Sequence, residues 1–119
     1  GNGARPDGSA VTGNDPTDTS QIIGPVFVTD WMAHLRQRVG DAASGGVRYY
    51  ALDNEPDLWD STHRDVHPQP LGYDELLTRS LAYARAIKGA DAGARVLGPD
   101  SWGWVGYFSS AADVAAGGE

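Results

Sequence analysis

Apolar residues recur every three or four positions after Pro25, at Val28, Trp31, Met32, Leu35 and Val39. That spacing predicts a helix with one buried face, and it puts Trp31 in the core. Thr29 or Asp30 is expected to cap its start, Arg36 and Arg38 suit its electronegative end, and Gly40 is the expected stop. After Gly45-Gly46 the pattern becomes a run of β-formers over residues 47–52, which predicts a strand. Asp53-Asn54-Glu55-Pro56 ends it, because Pro56 cannot donate to a ladder and disfavours helix at Glu55. Residues 57–72 read as polar and irregular. Leu76, Leu77, Leu81, Ala84 and Ile87 then line one face of a second helix, from Tyr73 to about Lys88, with Asp74 and Glu75 in its first turn and Gly89 after its end. Arg95-Val96-Leu97 is a short second strand before Gly98-Pro99. A loop with Trp102, Trp104, Tyr107 and Phe108 follows, leading to a possible third helix from Ser109 or Ser110. Residues 1–24, rich in Gly, Pro, Asp and Asn, read as one long loop.

Helices alternating with strands point to a parallel α/β arrangement. Two strands do not make a self-sufficient parallel sheet, since each face must be covered and each edge paired. At 119 residues the chain also falls far below the ~250 of a closed barrel of eight strand–helix units. The expected architecture is therefore a piece of something larger, poorly folded or aggregation-prone when isolated.

Composition narrows the chemistry. A net charge of −7 with a single Lys argues against nucleic acid or an anionic membrane as partner. No Cys is present, so thiolate metal sites and Cys nucleophiles are excluded. There is no apolar run of bilayer length, no basic-then-apolar leader and no Gly-rich phosphate loop, and Ser61 lacks the context of a serine-hydrolase nucleophile.

Asp53-Asn54-Glu55-Pro56 carries the chemical interest. Loops beyond the carboxyl ends of parallel strands are where such proteins bind ligands. A carboxyl group there, beside an amide able to hold a sugar hydroxyl, suits acid catalysis of glycoside cleavage, which needs a second carboxylate opposite. On composition alone, Glu55 and Asn54 could equally be turn residues before a proline.

The surrounding residues sharpen the choice. The stretches Tyr50–Trp59, Ser61–Pro68, Tyr73–Glu75, Leu97–Pro99 and Trp102–Trp104, with the upstream Thr12–Thr19, closely resemble glycoside hydrolase family 44. The resemblance implies an α/β fold, specifically a segment of a (β/α)8 TIM barrel from about the strand-three loop through strand five. Residues 1–119 would then be one partial catalytic domain, normally joined to the rest of the barrel and a β-sandwich. It implies a secreted, extracellular, retaining endo-β-1,4-glucanase acting on cellulose-type glucan, xyloglucan or xylan. Glu55 would be the general acid/base and Asn54 would hold the sugar's 2-hydroxyl. The family's nucleophile is a Glu on a later strand. The other Glu residues here are Glu75, which suits a helix dipole, and Glu119 at the terminus, so the nucleophile is expected outside this chain. A non-catalytic carbohydrate-binding fragment is the alternative.

Trp59, Trp102 and Trp104, in loops after strand ends, could stack on sugar rings or simply pack. His63, Asp65 and His67 admit a metal reading. The favoured reading has His63, Arg64 and Asp65 hydrogen-bonding the cleft wall and orienting Glu55, with His63 also a substrate contact. Catalysis by two carboxylates requires no cofactor. Asp15, Asp18, Asp57 and Asp60 are calcium candidates by the resemblance, with turn chemistry as the competing role.

Overall fold

The computed structural model describes residues 3–118, so Glu119 lies outside the described residues. The chain divides into two compact units. One joins the described residues of Gly1–Ile22 with Glu55–Tyr73 and the described residues of Ser101–Glu119; the other is Ile23–Asn54 with Asp74–Asp100.

The second unit carries the parallel α/β element. Helix α1 spans Pro25–Val39 and strand β1 spans Tyr49–Ala51. The short helix α2, Trp59–Thr62, belongs to the first unit, and the long helix α3, Tyr73–Ala90, leads back to strand β2, Arg95–Leu97. The strands pair in parallel with Tyr49 opposite Arg95, Tyr50 opposite Val96 and Ala51 opposite Leu97. The expected alternation of helix and strand is present, with β1 shorter than the run of β-formers. A ladder needs a partner as well as propensity, and β2 supplies three residues. Backbone bonds continue past the strand ends, from Arg95 N–H to Arg48 O (2.7 Å) and from Leu52 N–H to Leu97 O (2.8 Å).

The core of this unit is Met32, Tyr50, Ile87 and Ala94, with Val28, Leu35, Val47, Leu52, Ala90 and Val96 packed against it. The alternation along a strand explains the choice: Tyr50 and Val96 share the covered face, while Tyr49, Ala51, Arg95 and Leu97 are exposed. Trp31 corrects the core expectation. It is 51% exposed, at the edge of the stripe whose centre is Met32, and meets Tyr50 edge-on with centroids 6.3 Å apart. Leu77 and Leu81 of α3 are exposed too, so that helix buries only Ile87 fully.

Local chemistry fixes the ends. Helix α1 starts at Gly24 with Pro25 in its first position, not at Thr29 or Asp30; Thr29 Oγ1 instead bonds back to Val26 O at 2.8 Å. Gly40 does end it, with φ of 85°. Helix α3 runs through Gly89 to Ala90, and the buried Asp91 follows. Its carboxylate accepts from Ala42 N–H (2.8 Å) and Gly93 N–H (2.9 Å), pinning the helix end to the 3-10 turn Ala42–Ser44. Lys88 Nζ donates to the carbonyls of Ala92 and Ala94, which satisfies acceptors beyond the last turn.

In the first unit, residues 3–22 are less irregular than their composition suggests. They hold an Ala4–Ala10 antiparallel bridge and a 3-10 turn, Pro16–Asp18. Residues 57–72, read as irregular, likewise hold the end of the 3-10 turn Pro56–Leu58 and all of α2. The third helix, α4, spans Ala111–Ala115 behind a capping box in which Ser110 and Asp113 bond reciprocally. Among the described residues no helix is long and apolar enough to cross a membrane.

These caps make stability depend on acid. The Thr17 hydroxyl and then its backbone N–H hold the Asp15 carboxyl below its ordinary value, and the Ser110 hydroxyl and N–H do the same for Asp113. The folded state therefore binds fewer protons than the unfolded chain in this range. The contribution is present above the ordinary aspartate value of 3.8 and is lost as pH falls through the lowered folded values. Melting temperature is expected to fall as pH drops below 3.8, with a shallower fall in a Thr17→Ala, Ser110→Ala variant. Equal slopes for the two proteins in thermal melts would contradict this.

Candidate active site

Both strands of the parallel pair deliver polar residues from their carboxyl ends. After β1 come Asp53, Asn54 and Glu55; after β2 come Asp100 and Ser101. Asn54 and Asp100 form an isolated parallel bridge, with Asp100 N–H on Asp53 O at 3.2 Å, and the Asn54 side chain stays exposed. Asn54 thus ends the second unit, and Glu55 opens the next segment of the first.

Glu55 departs from what a residue before proline is expected to do. Its backbone is left-handed, φ 50° and ψ 51°, the one non-glycine residue with positive φ among the described residues. It is neither the helical conformation that Pro56 excludes nor a continuation of the strand, which stops at Ala51. The conformation costs an L-residue about 1–2 kcal/mol. It lets the chain turn at once into Pro56–Leu58, whose Leu58 N–H bonds Glu55 O at 2.9 Å. The half-buried Glu55 carboxylate has no hydrogen-bond partner among the described residues. Strain of this kind concentrates at functional positions. Replacing Glu55 by Gly is expected to raise unfolding stability by about 1 kcal/mol, against the usual direction for a point change. A loss of stability in urea unfolding would show that the side chain contributes more than its backbone costs.

The most connected acidic residue is Asp57, two positions on. Its Oδ2 accepts from Ser101 Oγ at 2.8 Å and from Trp102 N–H at 3.0 Å. A Cβ on Gly106 would collide with Ser101 Oγ and come within 2.9 Å of Asp57 Oδ1, so a side chain there would displace this pair. The Tyr73 hydroxyl donates to Gly106 O at 3.1 Å. Together these bonds hold a loop that displays Trp102 (64% exposed) and Trp104 (76% exposed). Trp104 in turn packs against Tyr107 and Phe108, centroids 5.6 and 5.8 Å apart. The sequence reading missed this role of Asp57, and a 44-residue separation from Ser101 leaves no local signal for it.

The remaining candidates lie as follows. Trp59 begins α2 instead of sitting in a loop. It is half-buried, edge-on to His67 at 5.3 Å, and its indole N–H is enclosed without a hydrogen-bond partner among the described residues. His63 caps the C-terminus of α2 and is exposed. Arg64 reaches Gly3 O (2.7 Å) and Val11 O (3.4 Å), fastening the upstream loop where orientation of Glu55 was expected. Glu75 pairs with Arg79 one turn along α3, Oε1 to Nη2 at 2.7 Å.

Among the described residues no three His, Asp or Glu side chains converge. Asp15 is engaged by Thr17 in turn chemistry, Asp57 by Ser101 and Trp102, Asp18 lies within its 3-10 turn and Asp60 in the first turn of α2.

Comparison with known proteins places this arrangement. The sequence profile of glycoside hydrolase family 44 matches residues 1–119. The beta-mannanase/endoglucanase A of Caldicellulosiruptor saccharolyticus is 41% identical over 85 residues, 71% of this chain and 6% of that protein. The crystal structure of CelM2, a bifunctional glucanase-xylanase protein from a metagenome library, superposes with a TM-score of 0.85 at 46% identity, over 94% of this chain and 22% of that one. A Paenibacillus polymyxa xyloglucanase with xyloglucan gives a TM-score of 0.64 at 43% identity, over 67% of this chain and 16% of that one. The chain thus spans less than a quarter of the length of each of these relatives.

Proposed function

Because the chain belongs to glycoside hydrolase family 44, we propose that it is the acid/base-bearing part of a retaining endo-β-1,4-glucanase. In this reading it supplies about the strand-three loop through strand five of a (β/α)8 barrel. The observation that carries the proposal is Glu55, a carboxylate on a left-handed backbone directly beyond the first of two parallel strands, within the family-like Asp53–Pro56 stretch.

Glu55 would hold its proton until the glycosidic oxygen departs, give it to that oxygen, and then take a proton from the water that releases the product. The nucleophile, a carboxylate from a later strand of the whole barrel, would stand about 5–5.5 Å away on the opposite face of the sugar. Asn54 would hold the 2-hydroxyl, with His63 a further substrate contact. Trp102 and Trp104 offer exposed indole faces on which glucose rings stack, and the half-buried Trp59 would contribute a ring edge. The relatives named for glucan, xylan, mannan and xyloglucan support a β-1,4-linked polysaccharide as substrate. Secretion, and a β-sandwich beside the barrel, belong to the same proposal, since a polymeric glucan is met outside the cell.

The stereochemistry of the product tests it. Proton NMR of carboxymethyl cellulose digested by the longest natural polypeptide containing this chain is expected to show the β-anomer first. Initial release of the α-anomer would mean inversion, and would overturn the acid/base-plus-nucleophile assignment.

A further inference from the structure

The loop after β2 displays large aromatic faces to solvent, yet its backbone is tied by a carboxylate. Charge-assisted hydrogen bonds are among the stronger local ties a chain can make. Here two of them order a segment in which Trp102 and Trp104 remain mostly exposed. A side chain on Gly106 would displace the tie, and Tyr73 secures the same stretch from α3's first residue. Within this chain the two indoles bury little surface, so the tie through Asp57 is what orders the loop that carries them. The turn Pro56–Leu58 that carries Asp57 begins at the residue after Glu55. One short turn therefore links the carboxyl group to the aromatic loop.

We propose that Asp57 is a positioning residue: by accepting from Ser101 and Trp102 it sets the aromatic loop relative to Glu55, so that a glucan stacked on the loop presents its scissile bond to the acid. This rests on the glycoside hydrolase reading above. Asp57 itself touches neither substrate nor the reacting atoms.

The test uses the longest natural polypeptide in a Glu55→Gln background, which binds without turnover, with cellohexaose as the probe. Asp57→Ala is expected to weaken binding about tenfold and to speed amide exchange at Trp102. Asp57→Asn, whose amide oxygen can accept both bonds, is expected to stay within about threefold of the parent and to keep Trp102 protected. In the Glu55-intact enzyme the Asp57→Ala loss should fall on KM more than on kcat. Unchanged cellohexaose binding in Asp57→Ala, or an Asp57→Asn variant as weak as Asp57→Ala, would overturn the inference while leaving the hydrolase reading intact. A Glu55→Gln parent that does not bind cellohexaose at all would overturn both.

Discussion

In the longest natural polypeptide containing this chain, Glu55→Gln is expected to lower hydrolysis of carboxymethyl cellulose by about 10²–10⁴-fold, the range supplied by a positioned general acid or base. The substitution keeps size and shape, so the left-handed backbone at φ 50° and the turn into Pro56 persist. What it removes is the acidic proton that the carboxyl group can give and take. An alkoxide leaving group then departs without assistance, and the water that completes the reaction attacks without a base. The effect should appear in kcat more than in KM, because the proton is needed in the transition state and not for holding the glucan. Reducing-sugar release by the two forms at equal concentration measures it. A loss below tenfold would remove Glu55 from the acid/base role.

The largest expected effect on stability lies in the parallel α/β unit. Met32 is fully buried among Tyr50, Ile87 and Ala94. Met32→Ala keeps helix propensity high, so its cost is the lost burial plus the cavity left between α1 and the strands. That cost is expected to be about 3 kcal/mol. Val39→Ala, on the same stripe but 53% exposed, is the control and should cost less than about 1 kcal/mol. Urea unfolding followed by circular dichroism gives both values. Similar midpoints for the two variants would mean that the Met32 cluster is not what holds this unit together.

Much of the local architecture was legible in the sequence because it is written in local period. The stripes through Met32 and Ile87, and the β-formers around Tyr50 and Val96, gave the helices, the strands and their parallel class. Periodicity marks a face, however, and does not say how much of it is covered. Trp31, Leu77 and Leu81 fit the pattern and remain exposed. Strand propensity likewise marks residues able to extend, while the ladder stops where β2 stops. Glu55 stands out in the sequence by its place before Pro56 and after a strand, but its left-handed backbone does not, since the residue before proline ordinarily extends. The Asp57 clamp depends on a partner 44 residues away, and the Arg64 bond to Gly3 on one 61 away. No spacing rule reaches that far.

The same carboxyl group can be tested with a leaving group that needs no proton. Against a dinitrophenyl β-cellobioside, whose phenolate departs unaided, Glu55→Gln in the longest natural polypeptide should form the glycosyl intermediate at nearly the parent rate, seen as a burst of phenolate, while cleavage of carboxymethyl cellulose collapses. Added azide, an anion that attacks without a base, should restore turnover of the activated substrate. If Glu55→Gln instead loses the burst as completely as it loses polysaccharide cleavage, Glu55 is not the acid/base.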